Sequence, residues 1–147
     1  MSGIENFVDP SGINFAAFKA LDRSTPIFML NMLRFREQAA YPSQHPSAAQ
    51  GLTGEQAYLE YGKTSGPIFE RVGGTITWRG KPETIVIGPE DERWDQIFIA
   101  HYPNAGAFLE MVTDPEYQKA VVNRQAAVQT SRLIRMGEAN IGSGFGG

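Results

Sequence analysis

The chain contains no cysteine among its 147 residues. Disulfides, thiolate nucleophiles and cysteine-ligated metal sites are therefore excluded. Histidine is nearly as scarce, because His45 and His101 are the only two, and they lie far apart in the sequence. The histidine-glutamate helix motif of zinc enzymes does not occur either. We therefore predict no bound metal and no cofactor.

Three further features are missing: a membrane span, a signal peptide and a basic stripe. The longest apolar run, residues 26–33, is interrupted by Asn31 and is far shorter than the roughly 20 residues of a membrane span. The first residues lack the basic start and apolar middle of a signal peptide, which predicts a cytoplasmic protein without a membrane partner. The 13 lysines and arginines are scattered and the net charge is −3, so we expect no nucleic-acid partner.

The composition is that of a globular protein, with 41% hydrophobic and 20% charged residues. The length is typical of one domain, and we predict a single domain over residues 1–147. It would consist of an N-terminal helical extension (1–25), a core (26–137) and a flexible glycine-rich tail (138–147).

The extension is predicted to contain an amphipathic helix. A carboxylate followed by proline, Asp9-Pro10, is typical of a helix start. Apolar side chains follow at helical spacing, and we expect them to be buried against the core. They are Phe15, Phe18 and Leu21.

The core alternates strand and helix patterns. Residues 26–35 and 94–102 are apolar on both faces, which predicts strands covered on both sides. Residues 75–87 predict one long edge strand with a bulge at 80–82, and residues 131–136 predict a last strand. Helices are predicted between the strands, at 53–72 with a kink or break at Gly66-Pro67, at 105–112, and from Asp114 onward.

The resulting order is strand, helix, strand, strand, helix, strand, which is the α+β ferredoxin-like βαββαβ arrangement with a four-stranded antiparallel sheet and, here, an extra N-terminal helix. Helices cover only one face of such a sheet. The other face would expose several hundred Å² of apolar surface, which soluble monomers rarely do. We therefore predict a homodimer with sheets packed face to face, burying more than about 2,000 Å² in total. Side chains of one parity from 27–35 and 97–102, joined by Trp78, would form the interface.

Several landmarks along the chain resemble those of one bacterial family. In order, they are the run from Pro26 to Phe35, Tyr58-Leu-Glu-Tyr61, Gly73-Gly74, Trp94-Asp95, Tyr102-Pro103, and the run from Asp114 to Gln118. They are similar to those of the domain-of-unknown-function 1330 family (DUF1330), within the dimeric α/β-barrel superfamily, over about residues 26–136. The resemblance implies the fold and dimerisation. It implies no activity, because the family has no settled one. Superfamily relatives include cofactor-free quinone-forming monooxygenases, lactone isomerases and haem-dependent enzymes, and a function carried over from them would rest on fold analogy alone.

Two polar residues in the apolar strands are the best candidates for catalysis or ligand binding. The amide of Asn31 would donate to a ligand carbonyl, or else be satisfied by a neighbouring backbone group. His101 would abstract a proton from a phenol or carbon acid, or else bond a backbone carbonyl at the rim. If the two strands pair antiparallel in one register, these residues lie opposite Phe98 and Phe28 respectively, on opposite faces, whereas a one-residue slip would reverse the face of one relative to the other, so the sequence does not predict a dyad. The same register places Arg34 opposite Asp95, as a structural ion pair.

Aromatic residues supply the remaining ligand-binding candidates, Tyr58, Tyr61 and Trp78, although aromatics at such spacings are more often core. The sequence contains no paired-carboxylate, nucleophile-elbow or dinucleotide motif, so no motif alone identifies an enzyme. The first functional hypothesis is a small-molecule pocket between sheet and helices, roofed by the 36–53 loop, in a cofactor-independent enzyme acting on an aromatic or polyketide-like compound. The alternative is a non-catalytic dimer that binds an apolar metabolite or a protein partner. A pocket of several hundred Å³ with convergent polar groups favours the first hypothesis.

Overall fold

A computed structural model describes residues 6–146 of the chain. These residues form four strands and four α-helices, together with a short 3-10 helix in the loop after the first strand. The strands are β1 (Ile27–Phe35), β2 (Thr75–Gly80), β3 (Gln96–Tyr102) and β4 (Val128–Met136). The helices are α1 (Gly12–Ala20), α2 (Gly54–Arg71), α3 (Ala105–Thr113) and α4 (Pro115–Ala127), and the 3-10 helix is Pro46–Ala49.

The strands form one antiparallel sheet in the order β2-β3-β1-β4. The two strands with apolar residues on both faces, β1 and β3, are therefore central, and the predicted ferredoxin-like α+β topology is confirmed. Of the registers considered for these two strands, the structure has the one in which Asn31 pairs with Phe98 and Phe28 pairs with His101. The register matters because a one-residue slip would exchange the two faces of one strand relative to the other.

One face of the sheet packs against the helices and forms the core. Ile27, Met29 and Leu33 of β1 are almost fully buried on this face, beside Phe98 and Tyr102 of β3. The opposite face, which we call the open face, carries apolar side chains that are only half-buried or exposed. These are Phe28, Leu30, Met32, Trp78, Ile97, Ile99 and Ile134.

The predicted edge strand over residues 75–87 is wrong in its second half. β2 ends at Gly80, which pairs with Ile97, and β3 begins only one residue earlier, so no partner strand remains for residue 81 onward. Val86 and Ile87 are 88% and 95% exposed. The strand's irregularity lies between Ile76 and Trp78 instead of at 80–82.

The N-terminal helix begins two residues later than predicted. Ser11, not Asp9, is its N-cap, and the Ser11 hydroxyl accepts a hydrogen bond from the Asn14 amide at 3.1 Å. Phe15 and Phe18 are half-buried and pack against the core, as expected. Leu21 is 56% exposed, because it is the C-cap residue and its extended backbone takes it out of the helical stripe.

Helix α2 has the predicted capping box, in which Thr53 and Gln56 each bond the other's backbone N–H. The helix runs without a break through Pro67. It ends at Val72, and Gly73 follows with φ of +90°, a conformation that favours glycine.

The loop between β1 and α2 packs on the end of α4. The Arg36 amide donates to the Ala127 carbonyl at 2.9 Å, and the Tyr41 hydroxyl donates to the Asn123 side chain at 2.6 Å. Gly54 lies where this loop turns into α2 and approaches two carbonyl oxygens, those of Arg36 and Ala127, that leave no room for a side chain.

We expect Gly54→Ala to lower the free energy of unfolding by about 2 kcal/mol, because its Cβ would meet rigid backbone oxygens, that of Ala127 at 2.7 Å. Gly62→Ala in the same helix is the control, since nothing lies within 4 Å of its Cβ. It should raise stability by roughly 0.5–1 kcal/mol through helix propensity. Urea unfolding measures both, and equal effects of the two substitutions would contradict the close approach.

Candidate functional site

A surface pocket of about 360 Å³ lies at one end of the sheet. In the antiparallel order β2-β3-β1, the end of β2, the start of β3 and the end of β1 come together at this edge. The first two turns of α2 close the pocket on the helix side. The lining residues are Phe35, Glu55, Tyr58, Leu59, Arg79, Gly80, Lys81, Asp95 and Gln96.

The spacing of residues along α2 explains which of its side chains line the pocket. Glu55, Tyr58 and Leu59 stand three and four residues apart, so they share one face of the helix. The Tyr58 ring packs against Phe35, the last residue of β1, with ring centroids 5.2 Å apart. The wall between helix and sheet is therefore aromatic.

The Tyr58 hydroxyl makes no hydrogen bond with any described residue, although the ring is largely buried. The hydroxyls of the other four tyrosines all have partners. Tyr61 and Tyr117 bond each other at 2.8 Å, Tyr102 donates to the Met111 sulfur, and Tyr41 donates to Asn123. Tyr58 is thus the tyrosine whose hydroxyl has no protein partner and can bond a water or a ligand in the pocket.

Burial raises the pKa of Tyr58 well above its ordinary value, and the neighbouring Tyr61 raises it further. The nearby guanidinium groups of Arg124 and Arg79 lower that pKa by less than burial raises it. The phenol therefore stays protonated at neutral pH, and it can donate a hydrogen bond to a ligand oxygen.

Two cations line the pocket without a carboxylate partner. The Arg79 guanidinium lies over the Phe98 ring, 5.7 Å from its centroid, and within the described residues neither Arg79 nor Lys81 forms an ion pair. Stacking occupies one face of the guanidinium and leaves its edge N–H groups free to donate.

The predicted ion pair between Arg34 and Asp95 is wrong. The Asp95 carboxylate accepts a hydrogen bond from the Phe35 amide at 2.7 Å and lies 3.8 Å from the Arg93 guanidinium. The Asp95 amide donates to the Leu33 carbonyl at 2.8 Å. Asp95 therefore holds the end of β1 in place. Its partners are backbone groups of β1, and no sequence pattern predicts such contacts.

The structure separates the residues singled out in the sequence. Tyr58 lines the pocket, and Tyr61 packs against Tyr58 with ring centroids 5.3 Å apart but does not line the pocket itself. Asn31 lies on the core face, where its side chain donates to the Met29 carbonyl at 3.1 Å. His101 and Trp78 lie on the open face, and the His101 ring packs against Phe28 at 4.9 Å. Asn31 and His101 do not form a dyad.

Sequence reasoning missed most of the charged residues that line the pocket. Arg79 and Lys81 are two of the scattered lysines and arginines of the sequence. A pair of cations that flanks a glycine at a strand end is only a weak signal of a binding site. The predicted roof is absent as well, because no residue of the 36–53 loop is among the lining residues.

Neither a group of metal-ligating side chains nor a membrane-spanning helix is found in the part of the chain that the structure describes. No three histidine, cysteine, aspartate or glutamate side chains between residues 6 and 146 group into a metal site. No helix within those residues combines the length and apolarity needed to cross a membrane.

A family of domains of unknown function, DUF1330, matches residues 48–137, which is more than half of the chain. The chain belongs to this family. The match begins in the loop before α2 and ends after β4, so it includes the helix and the β2 and β3 ends that build the pocket. None of the curated proteins compared with the chain matches it.

A protein of unknown function from Rhodopseudomonas palustris is 49% identical in its crystal structure, with 92% of this chain and 99% of that chain covered and a TM-score of 0.85. The structure of its methylated form gives 48% identity, coverage of 95% and 100%, and a TM-score of 0.88. A Dabb-family protein with a ferredoxin-like fold from Mesorhizobium loti is 13% identical, covers 78% of this chain and 98% of its own, and has a TM-score of 0.50. This last likeness concerns the fold alone.

We expect Tyr58→Phe to change the free energy of unfolding by less than about 0.5 kcal/mol, because the hydroxyl has no protein partner to lose. Tyr61→Phe is the control. It should cost about 1–3 kcal/mol, since it leaves the hydroxyl of buried Tyr117 unpaired. Thermal and urea unfolding measure both variants. A Tyr58→Phe loss as large as that of Tyr61→Phe would show that the Tyr58 hydroxyl is structural.

Proposed function

We propose that this protein binds a small aromatic or similarly flat molecule in the pocket between α2 and the end of the sheet. The observation that carries the proposal is the Tyr58 hydroxyl, a donor without a protein partner in the aromatic wall of a 360 Å³ pocket. That volume lies at the small end of the range of about 300–1,000 Å³ for ligand sites. The presence of Glu55, Arg79, Lys81 and Asp95 in the lining supports a binding site over a filled core.

A cofactor-independent reaction on the bound molecule is the stronger form of this proposal. The same pocket holds the carboxylates of Glu55 and Asp95 and the phenol of Tyr58, which are the kinds of groups that transfer protons. The sequence candidate His101 lies on the opposite face of the sheet, so it supports catalysis in this pocket less well.

A thermal-shift screen against a library of metabolites and phenols tests the binding function. We expect hits that raise the melting temperature of the wild type and lose that effect in Leu59→Trp, which fills the pocket from an exposed position. Leu21→Trp, at another exposed leucine that is not among the lining residues, is the matched control. His101→Ala should retain the effect. Hits that Leu59→Trp leaves unchanged bind elsewhere, and a screen without hits contradicts the proposal.

The second candidate function is that of a dimeric binding or structural protein, and the open face favours dimerisation. Its apolar side chains span all four strands, and none of them is fully buried. A second copy of the sheet packed across a two-fold axis would cover them, as the sequence pattern predicted.

We expect light scattering at micromolar concentration to give the mass of a dimer rather than the 16.2 kDa of one chain. Met32→Glu should unfold the protein rather than yield a soluble monomer, because it places a charge on the open face where the second copy would cover it. Ile13→Glu on α1, where the side chain is 84% exposed, should leave mass and stability unchanged. If light scattering gives the mass of one wild-type chain and that species unfolds cooperatively on heating, the prediction of a dimer is overturned.

Four points stay predictions from the sequence. They are the cytoplasmic location, the absence of a nucleic-acid partner, the division into one domain with a flexible tail at 138–147, and the absence of a cofactor.

A further inference from the structure

The charged side chains that line the pocket form no ion pairs with one another. Asp95 is engaged by the Phe35 amide and by Arg93. Glu55 lies in the first turn of α2, where the positive end of the helix dipole already favours a carboxylate, and it forms no ion pair within the described residues. Arg79 and Lys81 are therefore left as two cations without partners beside one loosely held acid.

Arg79 is also held in a position suited to bind a carboxylate. It is the next-to-last residue of β2, its position pairs with Phe98 of β3, and its guanidinium rests over that buried ring. The strand and the ring restrict the side chain, so less rotational freedom is lost when the guanidinium binds. A guanidinium with free edge N–H groups matches a carboxylate through two parallel hydrogen bonds.

The second donor lies on the opposite wall. The Tyr58 hydroxyl is unpartnered, and its ring and that of Phe35 form the apolar surface beside it. A ligand that satisfies both walls needs a planar apolar body and an anionic group with oxygen acceptors.

We propose that the ligand of this pocket is a small aromatic carboxylic acid, whose carboxylate is bound by Arg79, with Lys81 beside it, and whose ring lies against Tyr58 and Phe35. The inference rests on the proposed binding function and names its ligand class. Arg79 is the residue that selects acids over their neutral analogues. Tyr58 donates a hydrogen bond to an oxygen of the ligand, since burial keeps its phenol protonated.

The test compares 2-naphthoate with 2-naphthamide, which has the same ring system and no charge. Amide chemical shifts of the full-length protein are followed in a titration with each compound. We expect 2-naphthoate to bind about tenfold more tightly than 2-naphthamide, as charge-assisted hydrogen bonds at a partly exposed site allow. The largest shifts should fall on Phe35, Gly80 and Gln96.

Arg79→Gln should abolish the preference for 2-naphthoate while 2-naphthamide binds as before. Lys63→Gln removes the same charge from an exposed position with only a surface ion pair to Glu60, and it should leave the preference intact. Tyr58→Phe should weaken 2-naphthoate binding several-fold without loss of stability.

The outcomes separate this inference from the binding function. Equal affinity for the two compounds in the wild type overturns the carboxylate class and leaves pocket binding standing. A preference that survives in Arg79→Gln, or shifts centred outside the pocket, overturns the role of Arg79. No binding of either compound at millimolar concentration overturns the aromatic acid, and the metabolite screen then decides the binding function independently.

Discussion

The antiparallel pairing of β1 with β3 determines the rest of this structure. Both strands are apolar on both faces, so hydrophobicity alone does not say which side chains meet the helices. The register Asn31 with Phe98 and Phe28 with His101 decides which side chains of the two strands share a face. Met29 and Leu33 enter the core, while Met32 and the histidine go to the open face.

The same pairing creates the pocket. β3 begins one residue beyond its last pair with β2, so β2 stops at Gly80 and the chain leaves the sheet. Asp95, just before β3, bonds the backbone at the end of β1 and fixes that edge. Charged side chains are tolerated there because the edge is partly open to water, whereas a few residues further along the strands the same groups would be buried without partners.

Aromatic side chains show how similar sequence positions divide between packing and binding. Tyr58, Tyr61 and Tyr117 form one continuous set of ring contacts between α2, α4 and the end of β1. Two of the three hydroxyls, those of Tyr61 and Tyr117, form a hydrogen bond with each other. The third hydroxyl faces no protein acceptor. This difference in hydrogen bonding, and not ring type or spacing, distinguishes the candidate ligand contact from core packing.

The sequence by itself determined the ferredoxin-like topology, the family, the capping box of α2 and the pairing of β1 with β3. These features rest on local patterns, since alternation, caps and glycine turns act over a few residues. It misplaced the end of β2, the start of α1 and the partner of Asp95, and it did not place Arg79 in the lining of a pocket. Only the tertiary structure decided those points. They depend on which strand ends share an edge and on which backbone groups lack partners, and contacts between residues distant in the chain set both.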